Sequence, residues 1–326
     1  MARPAQTPKL LADIGGTNAR FALLDKDSGI VHFQTLTSGD YPDLGTAAVA
    51  YLESLSLAAS PREAAFAVAA PVPLRGMDDS VTFTNRAWSL SIAEVKKRLA
   101  LTRLEVVNDF TAIALALAHL GEHDLDQVGD GREEKDGVKA VLGPGTGLGI
   151  SGFVPSSSGG VPLASEGGHV TIAATNNRES LVLGILREKF GHVSAERMLS
   201  GQGLVNIAGA LAKIENKSTP AETPDDITRD GLSGECRLCA ETLQMFCSML
   251  GTVAADLALT LGARGGVYIA GGIVPRLGPM FADTLFRARF EDKGRYSDYL
   301  SNIPTWVITH DTPAFLGLKA FLSWDT

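Results

Sequence analysis

Three apolar runs open the chain, and short polar turns separate them. The runs read LLADI, RFALLD and IVHFQTL, with the polar turn Lys26–Gly29 between the last two. Runs of strand length joined in this way predict a three-stranded antiparallel meander. Beyond it, extended patterns (AAFAVAAP, VTFTN, RLEVVND) alternate with helical ones (residues 44–57 and 92–99, then FTAIALALAHL). Alternating strands and helices predict an α/β fold.

The pattern of the opening segment returns from residue 138. The sequence VKAVLGPGTGLGISGFVPSSSGGVPLASEGG again gives an apolar strand, a glycine-threonine turn and two further strands separated by a Ser/Gly turn. When Thr17 is aligned with Thr146, Gly16 falls on Gly145. The two halves are therefore predicted to be an internal duplication.

The rest of the second half is mostly helical. Helical periodicity runs over residues 179–261, with a polar loop expected at 219–227. GGVYIAGGIVPRLG then predicts a strand, a Gly-Gly turn and the start of a helix. TWVITH predicts the last strand, and residues 315–322 the last helix.

Charge and length narrow the class of protein. The 326 residues carry 37 acidic and 29 basic side chains, a net charge of −8, and no long basic run. This balance argues against non-specific nucleic-acid binding and favours a small polar substrate. The N-terminus has no signal-peptide core, and no window reaches about 18 uncharged apolar residues. We therefore expect a cytoplasmic protein of two domains or lobes, without a membrane partner.

Cys236 and Cys239 form a CxxC pair, and Cys247 is the third cysteine. A zinc ribbon would need a second ligand pair, and a thioredoxin-like site would need its own βαβ unit. Neither is found in the sequence. These cysteines are expected to be ordinary thiols on a helical segment.

Three glycine turns each follow an apolar strand. They are Gly15-Gly16-Thr17-Asn18, Gly143-Pro144-Gly145-Thr146-Gly147 and Gly271-Gly272. Glycine lets backbone N–H groups approach a phosphate, and Thr or Asn adds side-chain donors. Any one of these turns is more often a tight turn without a ligand. The spacing fits neither a Walker loop nor a Rossmann fingerprint. Three such turns across two similar halves nevertheless predict phosphate sites.

Seven motifs in order carry a family resemblance over residues 9–320. They are DIGGTNAR, TNRAW, NDF, LGPGTGLG, EGGH, HVSAERMLSG and AGGIVPR. With them the chain resembles the bacterial glucokinases of the hexokinase, Hsp70 and actin superfamily. The resemblance implies two ribonuclease H-like lobes, the actin-like ATPase fold, with an interlobe cleft. It implies a small α/β domain, residues 1–118 completed by 311–326, and a large domain, residues 119–310.

The resemblance also implies roles in nucleotide binding. The first two glycine turns would hold the β- and γ-phosphates of ATP from opposite lobes, and the third would lie against the adenosine. The residues so implied are Asp13, Gly15, Gly16, Thr17, Asn18, Gly145, Thr146, Gly271 and Gly272. A carboxylate beside a phosphate turn suits Mg²⁺ held partly through water, and that role is assigned to Asp13. The alternative for Asp13 is a side chain that caps the turn.

Asn108 and Asp109 stand where a strand meets a helix. On the sequence alone, a helix cap and a catalytic carboxylate are equally good interpretations. The resemblance makes Asp109 the base that takes the proton of the sugar 6-hydroxyl. It also implies that Asn108, Asp109, Glu166, His169 and Glu196 bind glucose. The implied reaction is the glycolytic one, in which glucose and ATP give glucose 6-phosphate and ADP.

Two features separate this chain from possible relatives. The run VTIAATNN follows EGGH where an acidic residue is often expected, and the zinc-binding cysteine motif of the ROK sugar kinases is missing. The resemblance therefore implies the zinc-free branch, and a homodimer. Two other functions stay open: a sugar-sensing regulator, for which no helix-turn-helix or basic patch is found, and a kinase for another hexose or an amino sugar. The motifs leave the hexose preference open, as well as the use of polyphosphate or ADP in place of ATP.

Overall fold

The fold of the chain is given by a computed structural model, which describes residues 7–72, 79–82, 88–157 and 159–323. Most of the TNRAW motif, residues 84–87, lies outside the described residues, as does the second half of the expected strand VTFTN.

The described residues form thirteen strands and eleven α-helices. The strands are β1 (Lys9–Ile14), β2 (Asn18–Asp25), β3 (Gly29–Thr37), β4 (Glu63–Val68), β5 (Ser80–Thr82), β6 (Ser89–Ser91), β7 (Arg103–Asn108), β8 (Leu125–Val128), β9 (Lys139–Pro144), β10 (Leu148–Val154), β11 (Val161–Leu163), β12 (Val267–Ile269) and β13 (Thr305–Ile308). The helices are α1 (Leu44–Glu53), α2 (Ile92–Arg98), α3 (Asp109–Ala116), α4 (Asn177–Phe190), α5 (Gly201–Ile214), α6 (Pro224–Ser233), α7 (Arg237–Leu261), α8 (Ile273–Leu277), α9 (Phe286–Glu291), α10 (Ser297–Ser301) and α11 (Pro313–Ser323).

The chain divides into two compact units. One comprises Met1–Leu120 with Asp311–Thr326, and the other comprises Gly121–His310. The C-terminal helix α11 belongs to the first unit, where it packs against α3. A Cβ atom on Gly317 would overlap the carbonyl oxygen of Ala112, so glycine is what allows the two helices to approach this closely.

The first unit is built on a five-stranded sheet in the order β3-β2-β1-β4-β7. The meander β1-β2-β3 is antiparallel, as predicted, whereas β1, β4 and β7 run parallel. Alternate residues of β1 enter different cores. Leu10 packs with the residues of α1, and Leu11 packs with those of α3 and α11. Because helices cover both faces, the successive residues Leu10, Leu11 and Ala12 of β1 are all apolar and buried.

The second unit repeats this plan. Its six-stranded sheet has the order β11-β10-β9-β12-β13-β8, with an antiparallel meander β9-β10-β11 and parallel pairs β9-β12 and β12-β13. The first five strands therefore match those of the first unit in order and direction. The repeated meander was predicted from the sequence pattern, and β8 is an addition at the edge.

Several elements of the second unit differ from prediction, and the short helices α9 and α10 were not predicted. The polar loop expected at 219–227 ends early, because α6 begins at Pro224 with Thr223 as its N-cap. Pro at the first helical position is compatible with a helix start. Strand β8 was not predicted, since its sequence LDQV has no clear apolar alternation.

The long helix α7 lies in the core of the second unit. By length and composition it could cross a membrane, but 78% of its most apolar 18-residue window is buried inside the protein. The CxxC pair lies at its start, on a helical segment as expected. The Cys236 sulfur accepts the backbone N–H of Cys239 at 3.2 Å and so caps the helix. Burial raises the pKa of the Cys239 thiol to about 12, so this group is not a reactive thiolate.

Candidate functional site

The first glycine turn joins β1 to β2 as a hairpin. Ile14 pairs with Ala19, and the N–H of Gly15 donates to the Asn18 carbonyl oxygen at 3.0 Å. Gly15 does not have a positive φ, and a Cβ atom there would make only an ordinary contact at 3.6 Å. The fold therefore does not require glycine at this position. The Thr17 side chain is exposed and makes no hydrogen bond to any described residue.

Asp13 lies one residue before the end of β1. Its side chain is 19% exposed, and its Oδ2 pairs with the Arg20 guanidinium at 3.1 Å across the β1–β2 ladder. Burial raises the pKa of this carboxyl, and the neighbouring Arg20 lowers it by less. Oδ1 has no hydrogen-bond partner among the described residues. The negative charge of Asp13 is thus partly balanced by Arg20, and one carboxylate oxygen is available to a ligand.

Asn108 and Asp109 lie at the same edge of the first sheet. Val68 of β4 pairs with both Ile14 and Asn108, so the carboxyl ends of β1, β4 and β7 are level. The Asn108 Oδ1 accepts the N–H groups of Phe110 and Thr111 at 2.9 and 3.3 Å, which makes Asn108 the N-cap of α3. Asp109 is the first residue of that helix and is half-buried. The helix N-terminus favours the anionic form of a carboxylate at this place.

The second glycine turn joins β9 to β10 as a similar hairpin. Pro144 pairs with Leu148, and the Gly145 N–H donates to the Gly147 carbonyl oxygen at 2.8 Å. A Cβ atom on Gly145 would have no neighbour within 4 Å among the residues that the structure describes. Thr146 is exposed, and the N–H groups of Thr146 and Gly147 have no hydrogen-bond partner in the described part of the chain.

The EGGH segment packs directly on this second hairpin. It forms a short 3-10 helix, Gly167–His169, and a Cβ atom on Gly168 would overlap the carbonyl oxygen of Leu148. Glu166 and His169 are exposed, and their side chains have no partner among the described residues. Both side chains are therefore available to a ligand.

Glu196 reaches the same place from another segment. Its Oε2 accepts the Leu148 N–H at 2.9 Å, and its own N–H donates to the Gly168 carbonyl oxygen at 2.9 Å. The following helix α5 begins at Gly201, whose N–H donates to the Gly145 carbonyl oxygen at 2.8 Å. Three motifs that are well separated in sequence therefore meet at one hairpin.

The third glycine turn also packs on this hairpin. Gly271 has φ +81°, and a Cβ atom there would overlap the carbonyl oxygen of Pro144. Gly272 has ordinary φ, and a Cβ atom there would have no neighbour within 4 Å. The backbone conformation and packing thus require glycine at 271, whereas a side chain at 272 would meet no described atom.

Each unit gathers its own part of the predicted site. The first brings Asp13, Asn108 and Asp109 to one edge of its sheet with the turn 15–18. The second brings together Gly145, Thr146, Glu166, His169, Glu196, Gly271 and Gly272. Sequence reasoning missed Arg20 as the partner of Asp13, although the cross-strand spacing of a hairpin could have suggested it. It also missed the contacts of Gly147 and Gly168, which have no signal beyond the glycines themselves.

Comparison with known proteins bears on the whole chain. The family model described as Glucokinase matches residues 10–324. The chain is 50% identical over 315 residues to a glucokinase of Paramagnetospirillum magneticum, covering 96% of this chain and 97% of that protein. A glucokinase of Aromatoleum aromaticum is 49% identical, with 97% and 94% covered. A crystal structure of glucokinase from an Antarctic psychrotroph superposes with a TM-score of 0.85 at 36% identity, covering 97% and 99%. The chain therefore belongs to the glucokinase family.

Proposed function

We propose that this chain transfers the γ-phosphoryl group of ATP to the 6-hydroxyl group of glucose, with Asp109 as the general base. Family membership supports an ATP-dependent hexose kinase with glucose as its sugar. The observation that carries the assignment of the base is the position of Asp109. It is the first residue of α3, at the sheet edge that also carries Asp13 and the first glycine turn.

Asp109 suits this role better than its neighbour Asn108. The Asn108 side chain is used as the helix cap, and it has no basic group. Asp109 is half-buried, and the helix dipole favours its charged form, ready to accept the hydroxyl proton. Asn108 can still donate one amide hydrogen to a sugar hydroxyl, because its other amide hydrogen faces the carbonyl oxygen of Ala70.

Asp13 fits a Mg²⁺ ion bound with the nucleotide. One carboxylate oxygen of Asp13 has no hydrogen-bond partner among the described residues. Burial makes the negative charge of Asp13 costly, and Arg20 offsets only part of that cost, so a second cation would stabilise the charge. Mg²⁺ is commonly held by one or two carboxylates, water and substrate phosphates. Asp13 would hold it, directly or through water, and the chemistry supplied there is neutralisation of charge on the phosphates.

The glycine turns are proposed to bind the nucleotide. The phosphates would be held by Gly15, Gly16, Thr17 and Asn18 in the first unit and by Gly145 and Thr146 in the second. Gly15 and Gly145 use their own N–H groups within their turns, so their role is to leave room for a phosphate. In the second turn, the donors without a hydrogen-bond partner among the described residues are the N–H of Thr146, the N–H of Gly147 and the Thr146 hydroxyl. Gly271 and Gly272 are proposed to lie against the adenosine.

Glu166, His169 and Glu196 are proposed to bind the sugar together with Asn108 and Asp109. The carboxylates accept hydrogen bonds from sugar hydroxyls, and the imidazole can donate or accept. Polar groups that lose a hydroxyl partner cost about 1–3 kcal/mol each, which gives selectivity among hexoses.

Several finer assignments rest on the resemblance. We propose that the two units are the small and large lobes of the fold, and that the enzyme belongs to the zinc-free, non-ROK branch. Among the described residues, no group of three or more His, Cys, Asp or Glu side chains could hold a metal ion. A homodimer and a cytoplasmic location are also proposed, and gel filtration of the purified protein tests the first.

The proposed function is tested by a coupled assay over a panel of sugars with MgATP. Wild type is compared with Asp109→Asn, which keeps the shape of the side chain, and with Asp109→Ala. Because general-base catalysis contributes about 10²- to 10⁴-fold, turnover should fall by that factor while glucose binding is largely kept. Asp27→Asn, in an exposed turn, is the matched control. Unchanged turnover in Asp109→Asn would contradict the assignment of the base.

The same assay separates the other two functions. A wild-type protein that binds glucose but phosphorylates no sugar would be a sensor. A higher kcat/KM for another hexose or an amino sugar than for glucose would instead identify a kinase of different specificity.

A further inference from the structure

Glu196 makes contacts that binding a sugar does not require. Its Oε2 accepts the backbone N–H of Leu148, the residue directly after the second glycine turn, at 2.9 Å. Its backbone N–H holds the carbonyl oxygen of Gly168 in the EGGH segment at 2.9 Å. One residue thus contacts both the turn proposed for phosphate and the segment proposed for sugar.

Two glycines keep these segments in contact. A Cβ atom on Gly147 would overlap Oε2 of Glu196, and a Cβ atom on Gly168 would overlap the carbonyl oxygen of Leu148. Neither glycine has a positive φ, so close packing rather than backbone conformation favours glycine here, against a flexible side chain at Gly147 and against backbone at Gly168. The packing holds the Glu196 carboxylate against the backbone of residues 147 and 148.

The two oxygens of the carboxylate have different surroundings. Oε2 is bound to the turn, whereas Oε1 has no hydrogen-bond partner in the described part of the chain, and the side chain is half-buried. The N–H groups of Thr146 and Gly147, directly before Leu148, also have no partner there. A ligand bound to Oε1 and a ligand bound to these N–H groups would therefore be linked through only the Glu196 carboxylate and the peptide unit between Gly147 and Leu148.

We propose that Glu196 is a positioning residue that couples the sugar site to the phosphate turn. Oε1 takes a sugar hydroxyl, and this fixes the carboxylate. The fixed Oε2 in turn fixes the Leu148 N–H and the donors that precede it. This inference rests on the proposed function, since it takes Glu196 as a sugar ligand. Because coupling between two sites is reciprocal, glucose should tighten nucleotide binding, and nucleotide should tighten glucose binding by the same factor.

The coupling is measured by titration calorimetry without turnover. The dissociation constant of a non-hydrolysable ATP analogue with Mg²⁺ is determined without glucose and with saturating glucose. For wild type the ratio of the two constants should be roughly fivefold or more. A wild-type ratio of one overturns the proposal.

Gly147→Ala is the decisive variant. Its methyl group displaces the free end of a flexible side chain, so the chain should still fold while Oε2 leaves the Leu148 N–H. The ratio should fall towards one. The matched control is Gly209→Ala in α5, where a Cβ atom has no neighbour within 4 Å and the ratio should stay at the wild-type value. A wild-type ratio in Gly147→Ala overturns the proposal.

A second variant covers failure of Gly147→Ala to fold. Glu196→Gln keeps an oxygen for the Leu148 N–H but presents a donor to the sugar, so the ratio should again fall towards one. An unchanged ratio overturns the proposal. Failure of the proposed function is recognised separately, because wild type would then phosphorylate no glucose in the coupled assay.

Discussion

The hairpins β1–β2 and β9–β10 have the same backbone plan but obtain their negative charge from different sources. In each, the glycine after the first strand donates its N–H across the turn, and an exposed threonine follows. Counted from the ends of β1 and β9, Asp13 of the first hairpin stands where the second has Gly143. The first hairpin thus carries its own carboxylate, which Arg20 holds from the neighbouring strand.

The second hairpin receives its carboxylate from a distant segment. Glu196, whose carboxylate accepts the Leu148 N–H, lies 48 residues after Leu148 in the sequence. The comparison teaches that two hairpins with the same backbone plan can be supplied with a carboxylate in different ways, from the strand itself in the first and from a distant segment in the second. In our proposal the first copy serves the metal and the second serves the sugar. The predictions below test this division.

The largest effect is expected from removing the carboxylate of the first hairpin. Asp13→Asn should lower kcat/KM for ATP by about 10- to 100-fold, the usual cost of losing a group that holds a metal through its outer shell. The Mg²⁺ concentration needed for half-maximal activity should rise as well. Steady-state assays at varied Mg²⁺ measure both, with Asp27→Asn in the β2–β3 turn as control. If activity falls without a change in Mg²⁺ dependence, Asp13 has another role.

Gly271 and Gly272 sharpen the comparison, because they are the second and third residues after β12, whereas the second and third residues after the matching strand β4 are Ala70 and Pro71. Gly271→Ala places a side chain at φ +81° and against the Pro144 carbonyl oxygen. It should lower the free energy of unfolding by about 1–3 kcal/mol. Gly272→Ala has open space and should change stability little. Urea denaturation compares the two variants, and equal losses would contradict the structural distinction.

The two turn glycines test whether the hairpins are equivalent towards phosphate. A methyl group at Gly15 or Gly145 meets no close protein atom, so Gly15→Ala and Gly145→Ala should both fold normally. Each should raise KM for ATP roughly tenfold or more, since the methyl group prevents at least one charged hydrogen bond. Gly184→Ala in α4 is the control with similar open space. An effect from only one of the two turns would show that the other does not approach the nucleotide.

Much of this arrangement could be predicted from the sequence. The apolar runs predicted the strands of both meanders, and their repetition predicted an internal duplication. The alignment of Thr17 with Thr146 holds when counted back from Ala19 and Leu148, the first paired residues after the two turns. Counted forward from β1 and β9, Gly15 corresponds to Gly145, because the paired residues Ile14 and Ala19 enclose residues 15–18 whereas Pro144 and Leu148 enclose only 145–147. A sequence pattern cannot reveal this one-residue difference, since it depends on which residues pair.

The contacts within the site were beyond sequence reasoning. For Asn108 and Asp109, a helix cap and a catalytic carboxylate were equally good interpretations of the sequence. The geometry shows that Asn108 accepts the N–H groups of Phe110 and Thr111, and that Asp109 also accepts the Phe110 N–H. The bond between Glu196 and Leu148 joins residues that share no local pattern. Glycines 147 and 168 are typical turn residues in the sequence. Only the structure shows that close packing leaves little room for a side chain at these two positions.

The smallest expected effect concerns the stability cost of the first hairpin. Burial raises the pKa of Asp13 in the folded state, so folding disfavours its charged form. At pH values below the ordinary aspartate pKa of 3.8, Asp13 is protonated in both the folded and the unfolded state and does not lower the free energy of unfolding. As the pH rises through the raised folded pKa, wild type loses stability that Asp13→Asn keeps. The variant should therefore gain stability over wild type in urea denaturation as the pH is raised above about 4.

Two further comparisons make this a test of the hairpin and not of surface charge. Asp27→Asn removes an exposed carboxylate and should show no comparable gain with pH. Arg20 loses its partner in Asp13→Asn, but its side chain is 45% exposed, so this loss costs little. A gain that shrinks as the pH rises would mean that the Arg20 pair outweighs burial, so that Asp13 stabilises the first hairpin. The first copy would then keep its carboxylate for stability, and the proposed metal role would lose its support from the cost of the buried charge.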